Sequence, residues 1–299
     1  MKVFCKKRIA VLCVVCLIVC MVSGFTSPSA GADNAAKSSP GASASKGTAV
    51  SAVPVYINGI KYFDGTCVGD TVYIALSDFY DTVGIQQTDI AFDGAAGTAV
   101  VTAPGLSLTA VVGEKYVTAN DRCFYVPEGV QLLAGKIAAP LRVLAVTLQY
   151  SVEWDKTTDS VSLVADEPSP LVPASAHYNE QDLYWLSHLI NAEAGNQPIE
   201  GKIAVGDVVL NRVADPSCPD TVHDVVFDNR FGTQFSVTTA GGIYAQPNDE
   251  SIVAAKACLE GANVVGNALF FVNPKLAAAG WFDKTRTFIA TIGEHDFYA

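Results

Sequence analysis

Residues 183–195 read Leu183-Tyr184-Trp185-Leu186-Ser187-His188-Leu189-Ile190-Asn191-Ala192-Glu193-Ala194-Gly195. Leu183, Leu186, Ile190 and Glu193 are spaced 0, +3, +7 and +10. At about 100° per residue they share one stripe of a helix. Asn179 supplies an N-cap with Asp182 three residues later, and Gly195 suits the C′ position, so a helix is expected over 180–194. Glu193 then continues a face that must pack inward. Desolvation there raises the pKa of a carboxyl group, and the negative end of the helix dipole in the last turn acts the same way. A carboxylic acid held protonated near neutral pH is what general-acid cleavage of a glycosidic bond requires. A Glu at a helix end is more often solvated or ion-paired, and spacing alone does not choose between these readings.

Downstream, Asn196 or Gln197 can cap a second helix that carries Pro198 in its first turn and runs through Ile203, Val208 and Leu210 to Val213. Further helices are expected over 221–227 and 249–260, the latter ended by Gly261. Two β-like runs follow at 268–272 and 287–292, with a closing Asp296-Phe297-Tyr298. Residues 179–299 thus form one mainly helical domain with a small β-hairpin region.

Upstream, residues 53–165 are β-rich. Val55-Tyr56-Ile57 and Ile60-Lys61-Tyr62 flank Asn58-Gly59, the sequence of a type I′ hairpin. Residues 76–85 and 141–150 repeat one short helical pattern. Each is followed by an aromatic-Asp pair (Phe92-Asp93, Trp154-Asp155), a turn and a strand, with the Asp opening the turn. Residues 166–178 carry three Pro and read as a stiff interdomain linker. Residues 33–52, rich in Ala, Ser, Gly and Lys, read as a flexible linker. Residues 1–32 read as an export signal: Lys2, Lys6, Lys7 and Arg8, an apolar run from Ile9 to Val22, and Ala30-Gly31-Ala32 as cleavage site. The apolar run is shorter than the ~20 residues that span a bilayer.

The 299-residue chain carries a formal charge of −11, and loss of those four cations takes it to −15. So acidic a protein repels nucleic acid and anionic membrane surfaces. Eight Cys are present. Four lie in the signal, leaving Cys67, Cys123, Cys218 and Cys258, which allow one disulfide per domain or four free thiols. The four His (177, 188, 223, 295) form no metal-ligand pattern, so a zinc amidase is not indicated and no metal or cofactor is expected. Cys258 is mid-helix and Cys218 precedes Pro219, neither the helix N-terminus that activates a thiolate.

Several separated blocks resemble one family. They are Leu189-Ile190-Asn191-Ala192-Glu193-Ala194, Pro198 with Glu200-Gly201 and Ala204-Val205, and Val209-Leu210-Asn211-Arg212-Val213. Next come Thr221-Val222 with Val225-Val226, and Gln234-Phe235-Ser236. The last are Ala268-Leu269-Phe270-Phe271 with Asn273-Pro274, and Ile292-Gly293 with His295 and Phe297-Tyr298. In this order they resemble the SleB-type cell wall hydrolases, the spore cortex-lytic enzymes, over 183–299. The resemblance implies an α+β, lysozyme-like catalytic domain, with Glu193 as the acid that cleaves between N-acetylmuramic acid and N-acetylglucosamine. It further implies a 1,6-anhydromuramyl product, peptidoglycan glycan strands as the partner, and action outside the cytoplasm. Gly195 stands where many members carry Arg and then Gly. Pro140-Leu141-Arg142 and Glu153-Trp154-Asp155 likewise resemble the copper amine oxidase N-terminal-like domain over about 55–165, and no His lies within it.

Gln234, Phe235 and Ser236, in a Gly-flanked stretch, are candidate sugar contacts, with Tyr244 and Tyr298 as further subsite candidates. Asn211 and Arg212 read as helix-end caps, Glu200 as a capping residue and Asp207 as part of a solvated face. Were Glu200 or Asp207 across the cleft at roughly 6.5–9.5 Å from Glu193, an inverting hydrolase using water would be the alternative. A wall-binding protein with a decayed hydrolase domain is the other. The substrate (spore cortex or vegetative wall), the oligomeric state and protein partners are not legible in the sequence.

Overall fold

The computed structural model describes residues 52–85, 89–275 and 285–299. The expected export signal and all but the last residue of the expected linker after it lie outside the described residues. The fold is α+β, with a β-rich N-terminal module and a mainly helical C-terminal one.

In the N-terminal module, β1 (Ala52–Ile57) turns into β2 (Ile60–Val68) through Asn58 at φ 47° and Gly59 at φ 83°. Two successive positive φ values are the condition for the type I′ turn, which is why Asn-Gly stands there. Along β1, Val53, Val55 and Ile57 are buried while Pro54 and Tyr56 are not, the period-two alternation of a strand with one face on a core. These strands join β3 (Thr71–Ala75), β9 (Gln131–Leu133), β10 (Lys136–Pro140), β11 (Ser151–Asp155) and β12 (Ser160–Val164) in a seven-stranded sheet ordered β11-β12-β1-β2-β3-β10-β9. Only β1 and β12 pair in parallel. A second, five-stranded antiparallel sheet holds β4 (Ile90–Asp93), β5 (Thr98–Ala103), β6 (Leu106–Val111), β7 (Tyr116–Ala119) and β8 (Arg122–Tyr125). Helices α1 (Leu76–Thr82) and α2 (Leu141–Val146) begin the two repeated units. Asp93 Oδ1 accepts from the amides of Ala95 and Ala96, and Asp155 Oδ1 from that of Thr157, so each Asp does open its hairpin turn. The two hairpins enter different sheets: β4–β5 the smaller, β11–β12 the larger.

The Pro-rich stretch 166–178 is not a free spacer. Ser169 N and Leu171 N donate to the carbonyls of Leu148 and Thr147, Leu171 is buried, and the Asn120 amide donates to Leu171 O. Helix α3 (Ala174–His177) follows.

The C-terminal module contains α4 (Glu180–Ala194), α5 (Ile199–Ala214), α6 (Val222–Val226) and α7 (Asp249–Leu259), then β13 (Phe270–Val272), β14 (Phe288–Ile292) and β15 (His295–Tyr298) in the order β13-β15-β14. Asn179 Oδ1 accepts from Gln181 N at 2.9 Å and Asp182 N at 3.3 Å, capping α4 as its residue type predicts. Asn179→Ala should cost about 1 kcal/mol of stability, read from the midpoint of a denaturant titration. Two local expectations are corrected. Gly195 stays right-handed at φ −58°, ψ −24°, so it is not a left-handed C′ cap. The first turn of α5 has no side-chain cap, and instead the buried Lys202 ammonium reaches back to Gln197 O at 2.6 Å.

The two modules meet along α7. Arg122 donates Nε and an Nη to the two carboxylate oxygens of Glu260 at 2.6 Å each, and Tyr178 Oη donates to Glu260 Oε1 at 2.6 Å. The Arg122 and Glu260 side chains are only 11% and 6% exposed, so the pair is shielded and its fork geometry is fixed. Lys256 pairs with Asp121 at 2.7 Å, and Lys115 with Glu200. Glu260→Gln removes the charge but keeps the shape. It should lower stability by about 2 kcal/mol, checked by denaturant unfolding.

Candidate active site

A cavity of about 600 Å³ opens between the end of α4, the 233–236 loop and the β13–β15 face. Its position follows from the helix reading. Leu186 and Ile190 of the α4 stripe are fully buried beneath it, and Glu193, next on that stripe, lines the cavity. Among the described residues the Glu193 carboxyl has no hydrogen bond or ion pair. Its pKa is raised, and burial is the cause. An acid in that state holds its proton at a pH where a solvated Glu has lost it.

Around it stand groups suited to an uncharged, amide-bearing substrate. Gln234, Phe235 and Ser236 line the same cavity, with Gln197, Asn273 and Phe271. Arg212 also lines it, which corrects its reading as a helix cap. Its Nε donates to Leu269 O at 2.7 Å and its guanidinium lies 5.2 Å and 5.3 Å from the ring centroids of Phe235 and Phe270. Among the described residues no carboxylate pairs with it, and burial lowers its pKa. Asn211, by contrast, is the structural residue expected, its amide donating to the carbonyls of Gly266 and Ala268.

Two further ionisable residues line the cavity, His295 of the Ile292-Gly293 block and Glu294, which was not named in advance. Glu294 occupies the β14–β15 turn after Gly293, which sits at φ 61°. A hydrogen bond from Lys275 Nζ at 3.0 Å, and the charge it brings, hold the Glu294 carboxyl below its ordinary range. The turn is tied to the α4–α5 connection, because Glu294 N donates to Gln197 Oε1 at 2.9 Å and a Cβ on Gly293 would strike that same oxygen. Burial lowers the His295 pKa, so its ring is neutral at neutral pH, and its buried Nδ1 has no partner among the described residues. The Gly293-x-His295 spacing was visible in the sequence. That its middle residue lines the same cavity as the acid depends on the β14–β15 turn.

The remaining candidates lie elsewhere. Tyr298 is 1% exposed, packed against Phe288 in the sheet, and is a core residue. Tyr244 is 62% exposed and packs edge-on against Trp185 outside this cavity. Glu200 is engaged by Lys115 at the module seam. Asp207 is not on a solvated face. It is 2% exposed and accepts from Val264 N at 2.7 Å. Neither Glu200 nor Asp207 lines the cavity, so neither is placed as a second carboxylate facing Glu193. The four described Cys are free thiols, and burial raises the pKa of Cys258 well above that of an ordinary thiol.

Residues 196–298 match the family described as Cell Wall Hydrolase, and residues 56–163 the Copper amine oxidase N-terminal domain. Glu193 lies three residues before the first of these ranges. A spore cortex-lytic enzyme of Oceanobacillus iheyensis is 36% identical over 129 residues, which cover 43% of this chain and 45% of that protein. One from Bacillus cereus is 35% identical over 120 residues, covering 40% of this chain and 45% of that one. The chain thus spans less than half the length of these curated relatives. Among solved structures, the catalytic domain of the germination-specific lytic transglycosylase SleB from Bacillus anthracis is 34% identical. It aligns over 43% of this chain and 100% of its own, with a TM-score of 0.38.

Proposed function

We propose that this chain, in which a copper amine oxidase N-terminal-like domain precedes a cell wall hydrolase domain, is an exported enzyme that cuts peptidoglycan glycan strands. The bond is that between N-acetylmuramic acid and N-acetylglucosamine, and the mode is that of a lytic transglycosylase. The observation that carries this reading is the Glu193 carboxyl, without a partner among the described residues and with its pKa raised by burial, on a cavity lined by amides and aromatic rings.

The chemistry needs one carboxyl group. Glu193, protonated, gives its proton to the glycosidic oxygen as the C1–O bond breaks. The resulting carboxylate then takes the proton of the muramic C6 hydroxyl while that oxygen bonds to C1, which closes the 1,6-anhydro ring and restores the acid. Gln234 and Ser236 would bond N-acetyl groups and Phe271 would offer ring surface, whereas Phe235 is buried in the core and Gln197 is buried with its amide held by Glu294 N and Asn196, so these two shape the cavity wall. Arg212 supplies donors for an acetyl oxygen or a lactyl carboxylate.

Digestion of purified peptidoglycan by wild type and by Glu193→Gln, with products read by mass spectrometry, tests this reading. Anhydromuramyl ends made only by wild type are the expected result. Free stem peptides, or no product from either protein, would overturn it. One observation favours a second reading. The ionised Glu294 carboxylate lines the same cavity and could activate water, which would make the protein an inverting muramidase. Reducing muramic ends would select that route.

A further inference from the structure

The N-terminal module has a cleft of its own. The β2–β3 turn, the start of α2 and the β11–β12 hairpin enclose about 460 Å³. The floor is apolar, with Leu141 and Val161 buried beneath it. Trp154 stands at the rim, 46% exposed, and faces Val161 across the β11–β12 ladder. Arg142 and Asp70 complete the rim. Among the described residues, neither of these two charged side chains has a hydrogen bond or an ion pair. In this Arg142 differs from Arg122, which is fully engaged by Glu260.

Each part of the cleft implies a property of what would fill it. An indole held open on a β-strand loses water gladly to a flat apolar surface, such as the C–H face of a pyranose ring. A guanidinium without a partner fits a carboxylate through two parallel hydrogen bonds. Asp70 disfavours a uniform polyanion but accepts from hydroxyl, amide and ammonium donors. A sugar bearing both a carboxylate and N–H groups meets all three conditions. We propose that this cleft is a non-catalytic binding site for muramyl glycan, in which Trp154 stacks on a sugar ring and Arg142 pairs with a lactyl or stem-peptide carboxylate. The site holds the enzyme on insoluble wall while the cavity at Glu193 cuts. The inference rests on the peptidoglycan reading above for the choice of polymer, and it assigns a separate site in a separate module.

The test uses the full chain. Binding to purified sacculi is measured by co-sedimentation in the non-cutting Glu193→Gln background, with Trp154→Ala and Arg142→Gln added singly. Each should raise the apparent Kd by about tenfold, the loss of one well-placed contact. With Glu193 intact, both variants should digest insoluble sacculi more slowly by a similar factor and cut soluble glycan strands at the wild-type rate. Circular dichroism confirms that the variants are folded. Unchanged binding and digestion of sacculi in both variants would overturn the proposal. So would equal binding to chitin, which lacks the carboxylate. If wild type cuts nothing but Trp154→Ala and Arg142→Gln still lose binding to sacculi, the catalytic reading fails and the binding site stands. If wild type cuts and neither variant changes anything, the reverse holds.

Discussion

Glu193→Gln is expected to slow glycan cleavage by about 100- to 10,000-fold, the range that a positioned general acid contributes. The substitution keeps the shape of the side chain and removes only the proton it can give. Among the described residues no charged neighbour holds Glu193, and burial is the cause of its raised pKa. The rate of wild type should therefore fall as pH rises through that raised value, because the first step needs the acid form. A profile of kcat/KM against pH reads this limb, and a limb at the pKa of a solvated Glu would argue against the assignment. The same burial has a thermodynamic sign. A carboxyl whose pKa is higher in the folded than in the unfolded chain costs stability once the pH exceeds the unfolded value of 4.5. Glu193→Gln should thus raise Tm at pH 7 and leave it nearly unchanged at pH 4. A gain in stability with a loss of activity is the mark of a group kept for chemistry.

Asp207→Asn is expected to change stability more than any other single substitution considered. Burial pushes the Asp207 carboxyl from 3.8 up to about 7, against the lowering effect of hydrogen bonds from the amides of Val264 and Val265. Between those two values the folded chain holds a proton that the unfolded chain has lost, so stability falls as pH rises through the window. Over roughly three units at about 1.4 kcal/mol each, the cost at pH 8 is on the order of 4 kcal/mol. Asn keeps an oxygen for Val264 N and cannot ionise. The variant should therefore be more stable than wild type by up to about that amount at pH 8, and equal to it near pH 3.5. Chemical denaturation at the two pH values checks this. A gain that is the same at both would mean that packing, not ionisation, was altered.

Much of the helical module was legible. Asn179 caps the helix that follows as expected, because a short side-chain oxygen satisfies amides that have no partner within the helix, and Thr221 and Asn248, not read as caps, do the same for theirs. The type I′ turn at Asn58-Gly59 and the Asp-led hairpins at Asp93 and Asp155 were legible for the same kind of reason. Where the reading missed, the deciding contact came from far along the chain. Asp207 looked like a solvated helix residue until the 264–265 loop, 57 residues on, closed over it and donated to it. Tyr298 looked like a rim residue until β15 took the centre of its sheet and buried the ring.

Glu193 shows the division most clearly. Local spacing in the sequence determined that it ends an apolar helical stripe and therefore faces inward, since helix geometry is set by the backbone alone. Only the tertiary structure decided what it faces. The 233–236 loop, Arg212 and the Glu294-His295 turn reach the cavity through contacts between segments up to a hundred residues apart. The spacing within any one segment cannot encode which of those segments will close over it.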